Sequence, residues 1–387
     1  MSATRVLFVT HAYPRHAGDA AGSFLHRLAL GLRASGLTVR VLAPSGPKLP
    51  PSEMLEGIEI HRFRYAPAGM ESLAYTGTMA EQVLGSLSGK GALLGMLTAG
   101  TVAVRRAIDD FKPDVLHAHW WFPAGLLALG TDSTLPLITT MHGSDVRLAR
   151  KVKLVHPLFR RVMVRSAAVT AVSSWLAGEA RAMAPDTTIS VAPMPVDVQL
   201  FSAEATPRIP GRFLFVGRLN AQKGVRDLLE AMGWAPADIT MDIVGDGEDE
   251  LALKAQAKEL GLEARITWHG AVPRTELPAM YRRSQAVVMP SQQEGLGLVA
   301  VEAQLSRTPV IAYRSGGLPD VVDAQWGGHL VPAGDTRALA DAMAAVHGAS
   351  AETIAGWGAA ARSVMMDRFS PTVVAQGYRT LYDRACA

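Results

Sequence analysis

The sequence has little cysteine and little net charge, and each shortage narrows the class of protein. Cys386 is the only cysteine among 387 residues, so no disulfide can form within the chain and folding needs no oxidising compartment. The net charge is only +3 although the pI is about 9.0, so the basic residues have to be judged by their placement. We expect no nucleic-acid partner.

Long hydrophobic runs are also missing. The apolar run that begins at Val6 is too short for the core of a signal peptide. The uncharged, apolar stretch between Lys90 and Arg105 has 14 residues, whereas a helix needs about 20 to cross a bilayer. We therefore expect no membrane-spanning segment and a cytoplasmic protein.

Basic and apolar residues are interleaved in one segment, residues 147–165. Seven Lys or Arg side chains fall there, between Arg147 and Arg165. A basic amphipathic segment can lie on an anionic membrane surface, which would place the protein at the inner face of a membrane. The alternative, which we prefer at this point, is an ordinary solvated helix face.

Short β-branched runs alternate with longer helical patterns, which is typical of parallel sheets built from βαβ units. A proline-rich stretch, residues 191–210, separates two such series and favours a linker. The sequence therefore predicts two doubly wound α/β domains, residues 1–200 and 201–370, whose carboxyl strand ends border a common cleft. The predicted strands are Arg5–Thr10, Thr38–Ala43, Val115–Ala118, Leu137–Thr140 and Val169–Val172 in the first series and Arg212–Gly217, Thr240–Val244, Ile266–Trp268, Ala286–Met289 and Val310–Ala312 in the second.

The most informative stretch follows the fourth strand of the second series, where a polar loop leads into a helix near Leu298. Gly295 and Gly297 let the backbone approach a ligand, and the helix start suits a diphosphate. Glu302, about one turn inside the helix, can accept hydrogen bonds from a vicinal diol such as a ribose, and Glu294 can do the same for other hydroxyl groups. Both glutamates could instead be solvated charges at a helix end.

Two cations, Arg218 and Lys223, stand five residues apart in the turn after the first strand of the second series. Fixed cations can stabilise the negative charge that develops on a departing diphosphate without the help of a metal. An ordinary turn with exposed cations is the alternative. Gly245 and Gly247 follow the next strand, but acidic residues come directly after them, so we interpret that segment as a tight structural turn.

Histidines end a predicted strand in the N-terminal half, at His117 and His119. Histidine is the usual proton acceptor near neutral pH. We expect alternation along the strand to turn only one of the two toward any given side, and the spacing does not show which. His142 and Asp145 form a polar turn after the next strand, at the same sheet edge. No third ligand accompanies these histidines, so no metal site is predicted, and a structural role for each is the alternative.

Together these segments resemble one family, the family-four retaining glycosyltransferases with the GT-B fold. The resemblance covers nearly the whole chain, and its glutamate pair is the Glu-x7-Glu motif of that family. The matching segments are Val216-Gly-Arg218 with Lys223-Gly224, Ile243-Val-Gly245-Asp-Gly247, Glu294-Gly-Leu-Gly with Glu302, Pro309-Val-Ile-Ala, and Gly316-Gly-Leu-Pro-Asp320.

The resemblance implies a role for each matching residue. Arg218 and Lys223 would hold the donor diphosphate, Glu294 the transferred sugar and Glu302 the ribose. His119 would orient the donor sugar or the acceptor and would not be a nucleophile. The implied catalytic residues are thus His119, Arg218, Lys223 and Glu294; the implied donor-binding residues are Gly22, Arg218, Lys223, Gly245, Glu294, Gly295, Leu296, Gly297, Leu298 and Glu302; and the implied acceptor-binding residues are Tyr13, His119, His142 and Asp145.

The resemblance also implies front-face substitution with retention of configuration, no metal, no cofactor and a C-terminal helix, 371–387, that crosses back to the first domain. The donor would be a UDP-, GDP- or ADP-linked sugar. The acceptor would be a glycan, a glycolipid or a small polar molecule, because the N-terminal segments are most similar to members that build surface polysaccharides or lipid-linked glycans. Many members carry a Gly-Gly turn after the first strand; here Gly22 takes that place, with Ala20 as the alternative alignment.

Two other functions fit the same pattern. A nucleotide-sugar epimerase can share this fold and acts on the donor alone. A non-catalytic module would bind the nucleotide sugar and release no nucleotide with any acceptor.

Overall fold

The computed structural model describes residues 4–19, 21–67, 69–75, 79–131, 134–202, 204 and 206–387. The chain divides into two compact units. Unit 1 comprises Met1–Pro195 and Pro371–Ala387, and unit 2 comprises Val196–Ser370. The division therefore falls slightly before the boundary between 200 and 201 that the sequence suggests, and Ala20 lies outside the described residues.

Unit 1 is built on an eight-stranded sheet with the order β3-β4-β2-β1-β5-β6-β7-β8. Every pair of neighbours is parallel except the edge pair β3 and β4. The central strands are buried throughout, as expected for a parallel sheet covered on both faces. The strands are β1 (Arg5–Val9), β2 (Thr38–Pro44), β3 (Ser52–Leu55), β4 (Ile58–Phe63), β5 (Val115–His119), β6 (Leu137–Met141), β7 (Ala168–Ala171) and β8 (Ile189–Val191).

Helices follow most of these strands. Ser86 and Ser173 cap two of them, since the hydroxyl oxygen of each accepts a hydrogen bond from a first-turn amide. The helices are α1 (Ser23–Ala34), α2 (Met79–Gly85), α3 (Leu87–Phe111), α4 (Leu126–Leu129), α5 (Ser144–Lys151), α6 (His156–Arg165) and α7 (Ser174–Met183). The basic segment 147–165 thus spans α5, a short 3-10 turn and α6 rather than one helix.

Helix α3 is the one helix of the described residues that is long and apolar enough to cross a membrane, judged by length and composition alone. It is longer than the uncharged run in the sequence because it includes Lys90 and Arg105. One stripe of α3, which includes Met96, Val104 and Phe111, is buried in the apolar core of unit 1.

Unit 2 contains a six-stranded parallel sheet with the order β11-β10-β9-β12-β13-β14. Its core packs the aromatic and branched side chains of the central strands against helices on the same sheet, with Phe213, Ile243 and Val288 fully buried. The elements are β9 (Arg212–Val216), α8 (Val225–Trp234), β10 (Thr240–Val244), α9 (Glu250–Glu259), β11 (Ile266–Gly270), α10 (Leu277–Arg283), β12 (Ala286–Met289), α11 (Leu298–Leu305), β13 (Val310–Tyr313), β14 (His329–Val331), α12 (Thr336–Gly348) and α13 (Ala351–Phe369).

The last helix, α14 (Pro371–Cys386), belongs to unit 1 although the chain enters it from unit 2. It packs against α1, where Gly31 leaves room for the backbone at Pro371. Its tyrosines Tyr378 and Tyr382 are almost completely buried. Residues that follow the whole of unit 2 in the sequence therefore complete the core of unit 1.

Candidate active site

Lys223 and Glu294 form an ion pair at the carboxyl edge of the unit 2 sheet. Lys223 ends the turn after β9, and Glu294 lies in the loop after the neighbouring strand β12. The ammonium Nζ lies 2.6 Å from the carboxylate Oε2, and both side chains are largely buried. Two residues 71 positions apart thus present a cation and an acceptor at one place.

The backbone on both sides of this pair adopts positive φ angles, which favour glycine. Gly224 has a φ of +68°, and a Cβ there would overlap the carbonyl oxygen of Pro290. Gln293, directly before Glu294, adopts a φ of +55°, which a non-glycine residue rarely does. Such strain persists only where the surroundings enforce it, and it often marks a functional site.

Helix α11 begins directly beyond the loop. Gly297 precedes its first residue, Leu298, with a φ of +91°, and Leu296 is buried. The first amides of a helix have no partner within the helix and lie at the positive end of its dipole. Gly295 to Leu298 thus place a favourable anion-binding element beside Lys223 and Glu294.

Glu302 lies on the same helix but has protein partners. Its Oε1 accepts a hydrogen bond from Arg274 Nη2 at 2.6 Å, and its Oε2 accepts one from the Tyr281 hydroxyl at 3.2 Å. The carboxylate raises the pKa of Tyr281 further than burial alone does. Arg274 therefore places a cation beside Glu302, and no sequence motif predicted this.

Arg218 points to a different partner from Lys223. Its Nε lies 3.1 Å from Glu248 Oε2, and both side chains are about half exposed. Exposed pairs of this kind contribute little to stability, so the guanidinium is available to other anions.

Gly245, with a φ of +127°, packs so closely on the Gly217 carbonyl that a side chain would overlap it, which agrees with the tight structural turn expected there.

His117 and His119 lie on the same face of β5, so the expectation that only one would face a given side is wrong. Side chains two residues apart on a strand point the same way. Their ring centroids are 4.0 Å apart. His117 is fixed by Tyr382 Oη at Nδ1 and by Thr140 Oγ1 at Nε2, each at 2.8 Å. Its role is therefore structural.

His119 contacts His142 instead, with 3.2 Å between Nδ1 of His119 and Nε2 of His142. Burial lowers the pKa of both rings well below the usual value of 6.5, and each is further lowered by repulsion from other histidines. Both are neutral at pH 7, so one ring donates and the other accepts, and the tautomer of one fixes that of the other. Among the described residues nothing bonds the buried Nε2 of His119.

His11, which no sequence motif singled out, lies in the same aromatic group. Its ring and that of His142 both contact Trp120, with centroids 4.3 Å apart in each case. Burial lowers the pKa of His11 to about 4. Its buried Nδ1 has no hydrogen-bond partner within the described part of the chain. Its position two residues after the end of β1 was the one available signal.

Two predicted acceptor-binding residues are buried and occupied with the protein itself. Tyr13 is fully buried, and its hydroxyl lies 2.8 Å from His26 Nδ1. The Asp145 carboxylate accepts hydrogen bonds from the amides of Trp121, His142 and Gly143. Both side chains are almost completely buried. In this structure Asp145 holds the turn that carries His142, and Tyr13 joins the loop after β1 to α1.

Gly22 lies where a side chain cannot. It precedes α1 with a φ of +69°, and a Cβ would lie 2.6 Å from the carbonyl oxygen of Ala12. The loop after β1 thus packs directly on the start of α1.

No group of three or more His, Cys, Asp or Glu side chains in the described ranges could hold a metal ion.

Two family models match adjoining parts of the chain. Residues 21–200 match "Glycosyltransferase Family 4", and residues 201–363 match "Glycosyl transferases group 1". The D-inositol 3-phosphate glycosyltransferase of Xylanimonas cellulosilytica is 30% identical in an alignment that covers 89% of this chain and 88% of that protein.

Solved structures share the fold. Sucrose-phosphate synthase from Thermosynechococcus elongatus matches with a TM-score of 0.81 and 20% identity over 98% of both chains. Anabaena HepE in complex with UDP-glucose matches with a TM-score of 0.70 and 18% identity, covering 98% of this chain and 99% of that one. Both units are therefore Rossmann-like domains of the GT-B class, as the sequence predicts.

Proposed function

The chain belongs to the group 1, family 4 glycosyltransferases, and we propose that it transfers a sugar from a nucleoside diphosphate donor with retention of the anomeric configuration. The observation that carries the proposal is the Lys223–Glu294 pair beside the start of α11. There an ammonium group, helix amides and a carboxylate are in place for a diphosphate and a sugar.

Unit 2 takes the donor in this proposal. As the bond between the sugar and the diphosphate breaks, charge develops on the leaving oxygens, and Lys223, Arg218 and the α11 amides stabilise it. Glu294 accepts hydrogen bonds from hydroxyls of the sugar, and Glu302, oriented by Arg274 and Tyr281, accepts them from the ribose. No metal takes part. The leaving phosphate removes the proton from the acceptor, so the acceptor attacks from the same face.

Unit 1 takes the acceptor. His119 is neutral and carries a buried nitrogen without a described partner, so it orients a substrate hydroxyl by a hydrogen bond and does not act as a nucleophile. His142 sets its tautomer, and Asp145 holds the loop that carries His142.

The donor we favour is UDP-linked, because a structural neighbour was solved with UDP-glucose. For the acceptor, the related D-inositol 3-phosphate glycosyltransferase supports a small polar molecule, whereas the sequence segments of unit 1 suggest a glycan or a glycolipid. A screen of UDP-, GDP- and ADP-sugars against inositol phosphates, simple sugars and glycolipids, read out as nucleotide release, separates these. A new sugar isomer formed from donor alone would instead identify an epimerase.

Replacing Lys223 tests the donor site. We expect Lys223→Ala to lower kcat/KM by about 30- to 900-fold, equivalent to about 2–4 kcal/mol, because one preorganised charge at the leaving group is lost. Lys254→Ala is the matched control, since Lys254 is a more exposed lysine of unit 2 that pairs with Glu250 on α9. A Lys223→Ala enzyme that works at the rate of the Lys254→Ala enzyme would contradict the proposal.

We also propose that unit 1 touches a membrane surface through residues 147–165. Leu154 and Val164 are 88% and 79% exposed in this segment, among basic side chains, which is more apolar exposure than a solvated helix face requires. The protein should bind vesicles that contain anionic lipid and not neutral ones. In a density-gradient flotation assay, a smaller fraction of the double variant Leu154→Ser, Val164→Ser should rise with the anionic vesicles. An unchanged fraction would contradict contact through this segment.

A further inference from the structure

Unit 2 contains a cavity of about 890 Å³ at the amino edge of its sheet. Its walls come from the residues before β9, β12 and β13 and from the turn between α12 and α13. Lys223 and Glu294 follow the carboxyl ends of β9 and β12, so the length of a strand, about 15 Å, separates the cavity from the candidate donor site.

The polar part of the cavity wall is cationic. Arg208, Arg282 and Arg307 line it. Among the described residues of the wall, Glu204 is the one carboxylate; it is mostly exposed and lies 3.3 Å from Arg282 Nη2. His347, also on the wall, is paired with Asp238 outside it. The wall therefore has an excess of positive charge.

Within the described ranges, the hydrogen-bond partners of Arg208 are all uncharged. Its Nη1 donates to the carbonyl of Ser284 at 2.7 Å, and its Nη2 donates to the carbonyl of Arg307. Carbonyl oxygens orient a guanidinium but do not neutralise it. Burial consequently lowers the pKa of Arg208 to about 10.

Arg307 brings a further cation to the same place. Its side chain is exposed, and its backbone is held at a φ of +61°. Repulsion from Arg307 adds to burial in lowering the pKa of Arg362. An anion bound beside Arg307 would reduce this repulsion.

We propose that this cavity binds a small phosphate ester, whose phosphate is held by Arg282 and Arg307 and whose organic part packs on the apolar wall at Pro207 and Ile354. Guanidinium groups bind phosphate through two parallel hydrogen bonds, and a dianion matches the excess of cations better than a carboxylate does. The volume lies within the range of small-molecule sites. The ligand binds on the opposite edge of the sheet from the sugar donor and does not compete with it.

Calorimetric titration with glucose 6-phosphate, glycerol 3-phosphate and inorganic phosphate tests this site independently of activity. We expect glucose 6-phosphate to bind the wild type and Lys223→Ala equally, and to bind Arg307→Gln at least about tenfold more weakly, since one charged contact is lost. Arg307→Lys keeps the charge but not the two parallel hydrogen bonds, so it should bind more tightly than Arg307→Gln and more weakly than the wild type, and glucose should not bind. Unchanged melting temperatures identify the variants that are folded.

Three results would overturn the proposal. The first is that none of the three phosphate compounds binds the wild type. The second is that Lys223→Ala loses binding while Arg307→Gln retains it, because the ligand would then occupy the candidate donor site. The third is equal loss in both variants, since the two sites would not be separate.

Discussion

Acid should destabilise unit 1 through its buried histidines, and His117 gives the clearest test. Its ring is completely buried between Tyr382 and Thr140, and burial lowers its pKa from 6.5 to about 3. Below pH 6.5 the His117 ring therefore binds a proton in the unfolded chain but stays neutral in the folded chain. The contribution of His117 to stability is complete above pH 6.5 and is lost as the pH falls from 6.5 toward 3.

The size of the effect follows from the two pKa values. Between pH 7 and pH 5 one such histidine removes about 2 kcal/mol from the free energy of unfolding. His11, whose pKa is lowered to about 4, removes nearly as much. Burial also lowers the pKa of His119 and His142 well below 6.5. His117 and His11 together therefore remove about 4 kcal/mol, a large part of the stability of a domain, and His119 and His142 act in the same direction, so unit 1 should be much less stable at pH 5 than at pH 7.

Urea unfolding of the wild type and His117→Asn at pH 7 and pH 5 measures this. We expect the variant to be less stable at both pH values, because Tyr382 and Thr140 lose their hydrogen-bond partner. The unfolding transition of unit 1 should shift. The loss of stability between pH 7 and pH 5 should be about 2 kcal/mol smaller in His117→Asn than in the wild type. His16→Asn, at an exposed position, should behave like the wild type. Equal losses in the wild type and His117→Asn would refute the reasoning.

Two further predictions concern unit 2. Gly224→Ala should lower the free energy of unfolding by about 1–3 kcal/mol, because the Cβ meets Pro290 at a φ of +68°, whereas Gly233→Ala, in helix α8 with nothing within 4 Å, should be neutral or stabilising by up to about 1 kcal/mol; equal urea midpoints for the two variants would contradict the close approach. EDTA should leave the transferase rate unchanged, because Lys223 and Arg218 supply the positive charge at the leaving group in our proposal; a loss of activity that Mg²⁺ or Mn²⁺ restores would count against them.

The central strands could be predicted from the sequence because apolar runs of the right length have few other uses. All ten predicted strands are present, and their ends differ from the predicted ones by at most two residues. Four strands were missed: the edge strands β3, β8 and β14, and β4, which lies next to β3. β3 alternates between exposed and half-buried positions, β4 alternates apolar with polar residues, and β8 and β14 have three residues each, so none leaves an apolar run. Edge strands owe their position to their neighbours rather than to their own sequence.

The candidate site was predictable where residues follow one another along the chain, and not where distant residues meet. Glycines and charges after β9 and β12 marked the Lys223–Glu294 pair, because parallel strands bring their carboxyl ends together. The pairing of Glu302 with Arg274 could not be seen, since 28 residues without a shared motif separate them. Nor could the contact of the buried Tyr13 with His26 on α1 be seen, since 13 residues without a shared motif separate them.

The return of α14 to unit 1 has a consequence for any attempt to study the halves separately. The polypeptide passes between the units at two places, near Pro195 and near Ser370, so no single cleavage releases either one. A fragment that stops at Pro195 would leave the Nδ1 of His117 and the carbonyl of Ala192 without the hydroxyls of Tyr382 and Tyr378. Unit 1 is consequently complete only after the ribosome has synthesised unit 2, and a premature stop within Pro371–Ala387 would damage unit 1, where the sequence begins, more than unit 2.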